Sequence, residues 1–327
     1  MMISLLICFL SLITVDTFIY NQKVLKKSYF ILNMNSNILL DNEKLPQYSK
    51  FKTSQVEPAI NLILENLEKD FCELENKLEN EKNIKKIYNL AVEELERIEY
   101  PLSYAWGMVS HLHSVKNNDE LRNVYSKMQP MIIKTSNKIS QSKKLYEALE
   151  KIKKSRSLTK IQKRIVESSV HSMFLSGIGL EDGKKETFND IKLKLADLST
   201  SFSNNVLDST KEFSLYIEND LQMEKLPLSA LELYSQQAKD KFPNSTPKNG
   251  PWKITLDIPS YLPIMLHHPD SSLREKLYKA YICRASEGNF NNLPVIEEIL
   301  SLKKELSQLL GYNNYAELSL SKKWHRL

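Results

Sequence analysis

His111 and His113, in "GMVSHLHSVKN" (107 to 117), are residues whose type and spacing raise the question of a metal site. Two imidazoles and a carboxylate can hold a zinc ion that acidifies a bound water for hydrolysis. Geometry decides whether this pair can do so. On a helix, side chains at i and i+2 lie about 200° apart around the axis and point away from each other. Only a strand would put them on one face. Residues 102 to 115 lie between Pro101 and the turn "NNDE", in helical surroundings, so His111 and His113 are predicted to diverge, one packed and one solvated. A usable helical pair needs i, i+4 spacing, as in H-E-x-x-H. That motif does not occur. His171, His267, His268 and His325 show no Glu or His partner at ligand spacing on one face. Cys8, Cys72 and Cys283 match no metal or redox spacing and no disulfide framework. There is no G-x-S-x-G, no P-loop and no G-x-G-x-x-G, and the carboxylates of "ELENKLENEK" (73 to 82) read as a solvated helix face. No residue is assigned a catalytic or metal-binding role, and no substrate-binding residue is identified.

The elements that would position any site are helices. Seven glycines in 327 residues, with Leu, Lys, Glu and Ile abundant, mark a mainly α chain with few tight turns. A 42% hydrophobic content is enough for a sizeable core, and a net charge of +5 without a basic, aromatic-studded stripe argues against nucleic-acid binding. The first fifteen residues, "MMISLLICFLSLITV", are uncharged and apolar, and residues 17 to 40 carry lysines but no acid up to Leu40. This pattern suits a cleaved signal- or transit-like leader over 1–40 and an organellar address. The alternative is a buried or disordered N-terminal extension on a cytoplasmic protein. No stable membrane span is expected once a leader is removed.

From Ser54 the 3.6-residue period takes over. Ile60, Ile63, Leu64, Leu67, Phe71, Leu74 and Leu78 form one apolar stripe, with Ser54 and Glu57 as an expected capping box and Pro58 in the first turn. Ile84, Ile87, Tyr88, Ala91, Leu95 and Ile98 form a second stripe, expected to break at Pro101. Helices follow at about 102–115 and from Asp119. Thr159 and Gln162 cap another with Ile161, Ile165, Val166, Val170, Met173 and Phe174 inside, stopped by Gly177 and Gly179. Phe188 to Val206 mark a longer helix. "FSLYIE" (213 to 218) and "WKITLDIP" (252 to 259) switch to period two and predict two strands joined by a helix near Leu228 to Ala238. Pro259 and Pro263 predict that "LDIPSYLPIM" (256 to 265) is strand ending in a turn, with Tyr261 in a packing role. Helices resume after Pro269, and the last ends at Gly311.

Several stretches are more specific than any period. "LPQYSKFKTSQVEPAI" (45 to 60), "SHLHSVKNNDELRNVY" (110 to 125), "FLSGIGL" (174 to 180), "LSTSFSNNVLDST" (198 to 210), "LDIPSYLPIM", "LREKLYKAY" (273 to 281) and "LGYNNYAELSLSKK" (310 to 323) occur in one order. They resemble the N-terminal half of the oligopeptidase A/thimet oligopeptidase family of zinc metallopeptidases. The resemblance implies the helical lobe of a two-lobed channel peptidase with a small antiparallel β element. It implies residues 41–180 as the N-terminal helical domain, 181–323 as the start of the peptidase domain, and 324–327 as a tail outside the match. It further implies zinc as the complete enzyme's cofactor, short unstructured peptides as its substrates, and a catalytic glutamate in H-E-x-x-H. That motif lies downstream of the matching blocks, so this chain is expected to bind no zinc and to be inactive alone. It would then need a missing or separately encoded catalytic half. The alternative is a non-catalytic peptide-binding or interaction module. The helices after about residue 270 are expected to carry apolar stripes that the chain itself does not cover.

Overall fold

In the computed structural model, residues 37–218 and 221–321 are described. They form helices and one two-stranded sheet. The chain divides into two compact units at Asn189/Asp190, inside the long helix α7 (Asp182–Glu212).

Among the described residues, the regular elements of the first unit are all helices. Helix α1 (Val56–Asn80) buries the whole predicted stripe from Ile60 to Leu78, together with Val56 and Ala59. Each such Leu, Ile or Phe contributes about 1.5–3 kcal/mol of transfer free energy. The expected Ser54/Glu57 box does not form. A 3-10 turn at Thr53–Gln55 precedes the helix instead, the Gln55 side-chain oxygen accepts from the Lys52 N–H at 3.0 Å, and Glu57 is free to pair with Lys127 at 2.6 Å.

Helix α2 (Ile84–Tyr88) continues through a π-helical stretch (Asn89–Glu94) into α3 (Leu95–Val115). Pro101 sits inside α3 and does not break it. A proline removes one helical hydrogen bond and costs about 3 kcal/mol in a helix interior. Burial of Ile98, Leu102, Ala105, Met108, Val109 and Leu112 on both sides of it outweighs that cost.

Asn118 caps α4 (Asp119–Ser140), its Oδ1 accepting from the Leu121 N–H at 2.8 Å. Ser142 caps α5 (Lys143–Lys153) in the same way. Helix α6 (Lys160–Leu175) opens with the Thr159/Gln162 capping box. It ends at Gly177, whose φ of +83° is left-handed, with the Ile178 N–H reaching back to the Met173 carbonyl at 3.2 Å. Val166, Val170 and Met173 are buried, whereas Ile161, Ile165 and Phe174 are exposed, so the apolar face is narrower than the sequence suggests.

The last residues of the anticipated leader, 37–40, are among the described residues. Residues 1–36 lie outside the described residues, but Asn37, Ile38 and Leu39 are buried in the core. The Asn37 amide donates to the Gln55 carbonyl at 2.9 Å and its Oδ1 accepts from the Leu39 N–H at 3.1 Å.

The second unit holds β1 (Leu215–Ile217) and β2 (Trp252–Ile254), antiparallel with Tyr216 opposite Lys253. Helix α8 (Leu228–Ala238) lies between them in sequence. The stretch "LDIPSYLPIM" departs from expectation: β2 ends at Ile254, and Ile258–His267 is helix α9. Pro259 falls in the first helical turn, where no backbone donor is required. Helices α10 (Ser271–Ile282), α11 (Leu293–Leu309) and α12 (Tyr315–Ser321) follow. The unit's core joins Met223, Leu231, Tyr234, Trp252, Ile254 and Ile264.

Candidate functional site

The two histidines of "HLH" diverge on α3. His111 is exposed, its ring 5.1 Å from that of Tyr48. His113 is buried against Tyr125 of α4, centroids 4.2 Å apart, and Tyr125 also stacks on Trp106 at 4.5 Å. Burial lowers the His113 pKa, with the Arg122 charge acting in the same direction. Its Nε2 is buried without a hydrogen-bond partner. An imidazole held this way is a packing group.

His268 is also buried, its Nδ1 accepting from the Asp270 N–H at 3.3 Å and its carbonyl accepting from Arg274. His267 ends α9 and is exposed, and His325 lies outside the described residues. One pairing on α6 differs from the expectation that His171 has no Glu partner at ligand spacing. Glu167 stands four residues before His171 on α6, and both line a cavity of about 430 Å³ with Glu150 and Lys153. The signal was E-x-x-x-H, at the spacing that places two ligands on one helix face. Among the described residues, however, no three His, Cys, Asp or Glu side chains converge to hold a metal ion. Zinc therefore does not fit the residues described, and no chemical step is derived through it. Burial also raises the carboxyl pKa of Glu99 on α3, a shift that no sequence pattern signals.

The "LDIPSYLPIM" block is built into the second unit by a buried hydrogen-bond relay. The Tyr234 hydroxyl donates to the Ser260 carbonyl at 2.6 Å, and the Ser260 hydroxyl accepts from the Thr255 N–H at 2.8 Å. Burial raises the Tyr234 phenol pKa, so the hydroxyl stays a donor. Tyr261 stacks on Tyr281 at 4.3 Å, and the Arg284 guanidinium lies 3.7 Å from the Tyr281 ring centre. These contacts give the block a positioning role.

A further concavity lies in the first unit. It has a volume of about 690 Å³ and runs between the start of α1 and the first turns of α4, with Pro58, Leu62 and Val124 as its apolar lining.

Comparison with known proteins accounts for this architecture. Residues 60–185 match the neurolysin/thimet oligopeptidase N-terminal domain, and residues 264–326 match peptidase family M3. Organellar oligopeptidase A, chloroplastic/mitochondrial, of Arabidopsis thaliana is 42% identical over 294 residues, covering 89% of this chain and 36% of that protein. The probable cytosolic oligopeptidase A of the same plant is also 42% identical, over 89% of this chain and 41% of that protein. Oligopeptidase A of Haemophilus influenzae is 37% identical over 296 residues, 88% of this chain and 42% of that protein. The chain thus spans less than half the length of these relatives. It belongs to the oligopeptidase A/thimet oligopeptidase family of metallopeptidases.

Proposed function

We propose that this chain supplies the N-terminal helical part of an oligopeptidase A-like zinc metalloendopeptidase that degrades short, unstructured peptides. The observation that carries the reading is the 42% identity over 294 residues with an oligopeptidase A. No H-E-x-x-H occurs in the 327 residues. In this reading the zinc ligands and the general base are supplied by sequence outside residues 1–327, and the chain alone does not cleave peptides. Helix α11 supports it: Leu293, Ile296 and Leu300, spaced three and four apart, are exposed on one face. An apolar stripe of this kind is a surface for further protein.

Co-expression of the chain with a family M3 segment that carries H-E-x-x-H tests the proposal. The two should co-purify and cleave a short quenched-fluorescent peptide, and Leu300→Asp should abolish their association. Failure to associate, with a soluble monomeric chain, would favour a non-catalytic interaction module. We also propose that residues ahead of Asn37 direct the chain to an organelle. A fluorescent reporter carrying residues 1–36 should leave the cytoplasm, and a uniformly cytoplasmic reporter would reject that address.

A further inference from the structure

The 690 Å³ groove of the first unit has a composition that the peptidase reading does not use. Its apolar strip consists of Pro58 and Leu62, one turn apart on α1, and Val124 on α4. Glu57 and Glu65 flank the strip on α1, and Glu120 flanks it on α4. Among the described residues of its lining the one cation is Lys127, which pairs with Glu57 at 2.6 Å. Among the described residues Glu65 and Glu120 form no ion pair, so each wall presents an exposed carboxylate open to a cationic side chain. Asn61 and Asn123 add one amide to each wall, and each amide can donate to and accept from a peptide backbone. The volume is that of a site for a small ligand or a short peptide segment.

We propose that this groove is a docking site for a basic peptide segment. An aliphatic side chain would lie on the Pro58–Leu62–Val124 strip, and lysine or arginine side chains to either side would reach Glu65 and Glu120. The complementarity is one of charge and pattern. A neutral apolar segment leaves two carboxylates unpaired, and an acidic segment is repelled. Catalysis plays no part in the argument, so a chain that never cleaves a peptide would still bind here.

The test uses the full 327-residue chain and three probes: acetyl-Lys-Leu-Lys-amide, acetyl-Gln-Leu-Gln-amide and acetyl-Glu-Leu-Glu-amide. The lysine peptide should bind at least about tenfold more tightly than the glutamine peptide at low salt and lose most of that advantage at 1 M salt, where the Debye length is about 3 Å. The double variant Glu65→Gln/Glu120→Gln changes two surface side chains. With an unchanged circular dichroism spectrum and melting temperature, it should bring the lysine peptide to within about twofold of the glutamine peptide. Val124→Ser should weaken both of these peptides together. Equal binding of all three probes, or lysine-peptide binding unaltered in the double variant, would overturn the proposal. So would self-association of the chain that the double variant abolishes, because that would assign the groove to a second copy.

Discussion

The imidazole of His113 lies nearly parallel to the ring of Tyr125, centroids 4.2 Å apart and planes 17° apart. The stack is on the face of α3 turned away from His111, so the two histidines of "HLH" act in separate environments. Because burial lowers the His113 pKa below 6.5, the folded state binds fewer protons than the unfolded state as pH falls. The stabilisation is complete above about pH 6.5 and declines as pH drops from there toward the folded pKa. His113→Phe keeps the stack and removes the unpaired Nε2, whose burial costs about 1–3 kcal/mol. Denaturant titrations at pH 7.5 and 5.5 should show the variant at least as stable as the parent at the higher pH, with a smaller loss on acidification. An unchanged pH dependence would mean that His113 is not held neutral by its surroundings.

Leu39 is fully buried, and Asn37 is hydrogen-bonded at both ends of its amide. Leu39→Ala should cost about 2–5 kcal/mol and Asn37→Ala about 0.5–2 kcal/mol, read by chemical denaturation. Wild-type stability in Leu39→Ala would show that residues 37–40 are dispensable to the fold, as a leader ending at residue 40 requires.

The hydroxyl of Tyr234 fixes the start of α9 through the Ser260 carbonyl. Tyr234→Phe should destabilise the second unit by about 1–3 kcal/mol, because a buried acceptor loses its donor. Tyr261→Phe keeps the ring stacked on Tyr281 and should change stability little. In a reconstituted peptidase it should also leave turnover nearly unchanged. A hundredfold fall in turnover with an intact fold would give the Tyr261 hydroxyl a chemical role instead.

Gly177 has φ +83°, and a Cβ there would lie 3.0 Å from Leu180 Cδ1 and 3.3 Å from Phe188 Cδ1. Gly177→Ala should therefore lower stability by about 1–2 kcal/mol through backbone strain alone. Thermal melts read this directly, and an unchanged melting temperature would show that the C-cap relaxes without cost.

Much of this fold is legible in the sequence, because local rules and burial agree there. The α1 stripe, the Thr159/Gln162 box and the two short strands show consistent periods and caps. The misreadings cluster at prolines. Pro101 lies inside α3 because the buried residues around it override the lost hydrogen bond, and Pro259 opens α9 where strand was expected. The period of a short apolar run does not separate strand from helix, and the Tyr234–Ser260 contact that fixes the choice spans 26 residues. At the candidate sites, divergence of His111 and His113 follows from helical geometry alone. The Glu167/His171 spacing is local, but its meeting with Glu150 and Lys153 and the acidic groove depend on which helices pack together, which no local pattern encodes.

Whether the chain alone is a peptidase is decided by assaying chelator-sensitive cleavage of a short quenched-fluorescent peptide by the pure 327-residue chain, with zinc content measured on the same sample. Neither cleavage above background nor stoichiometric zinc is expected, because the residues described assemble no metal site. One zinc per chain, with hydrolysis abolished by a chelator and restored by zinc, would contradict that expectation.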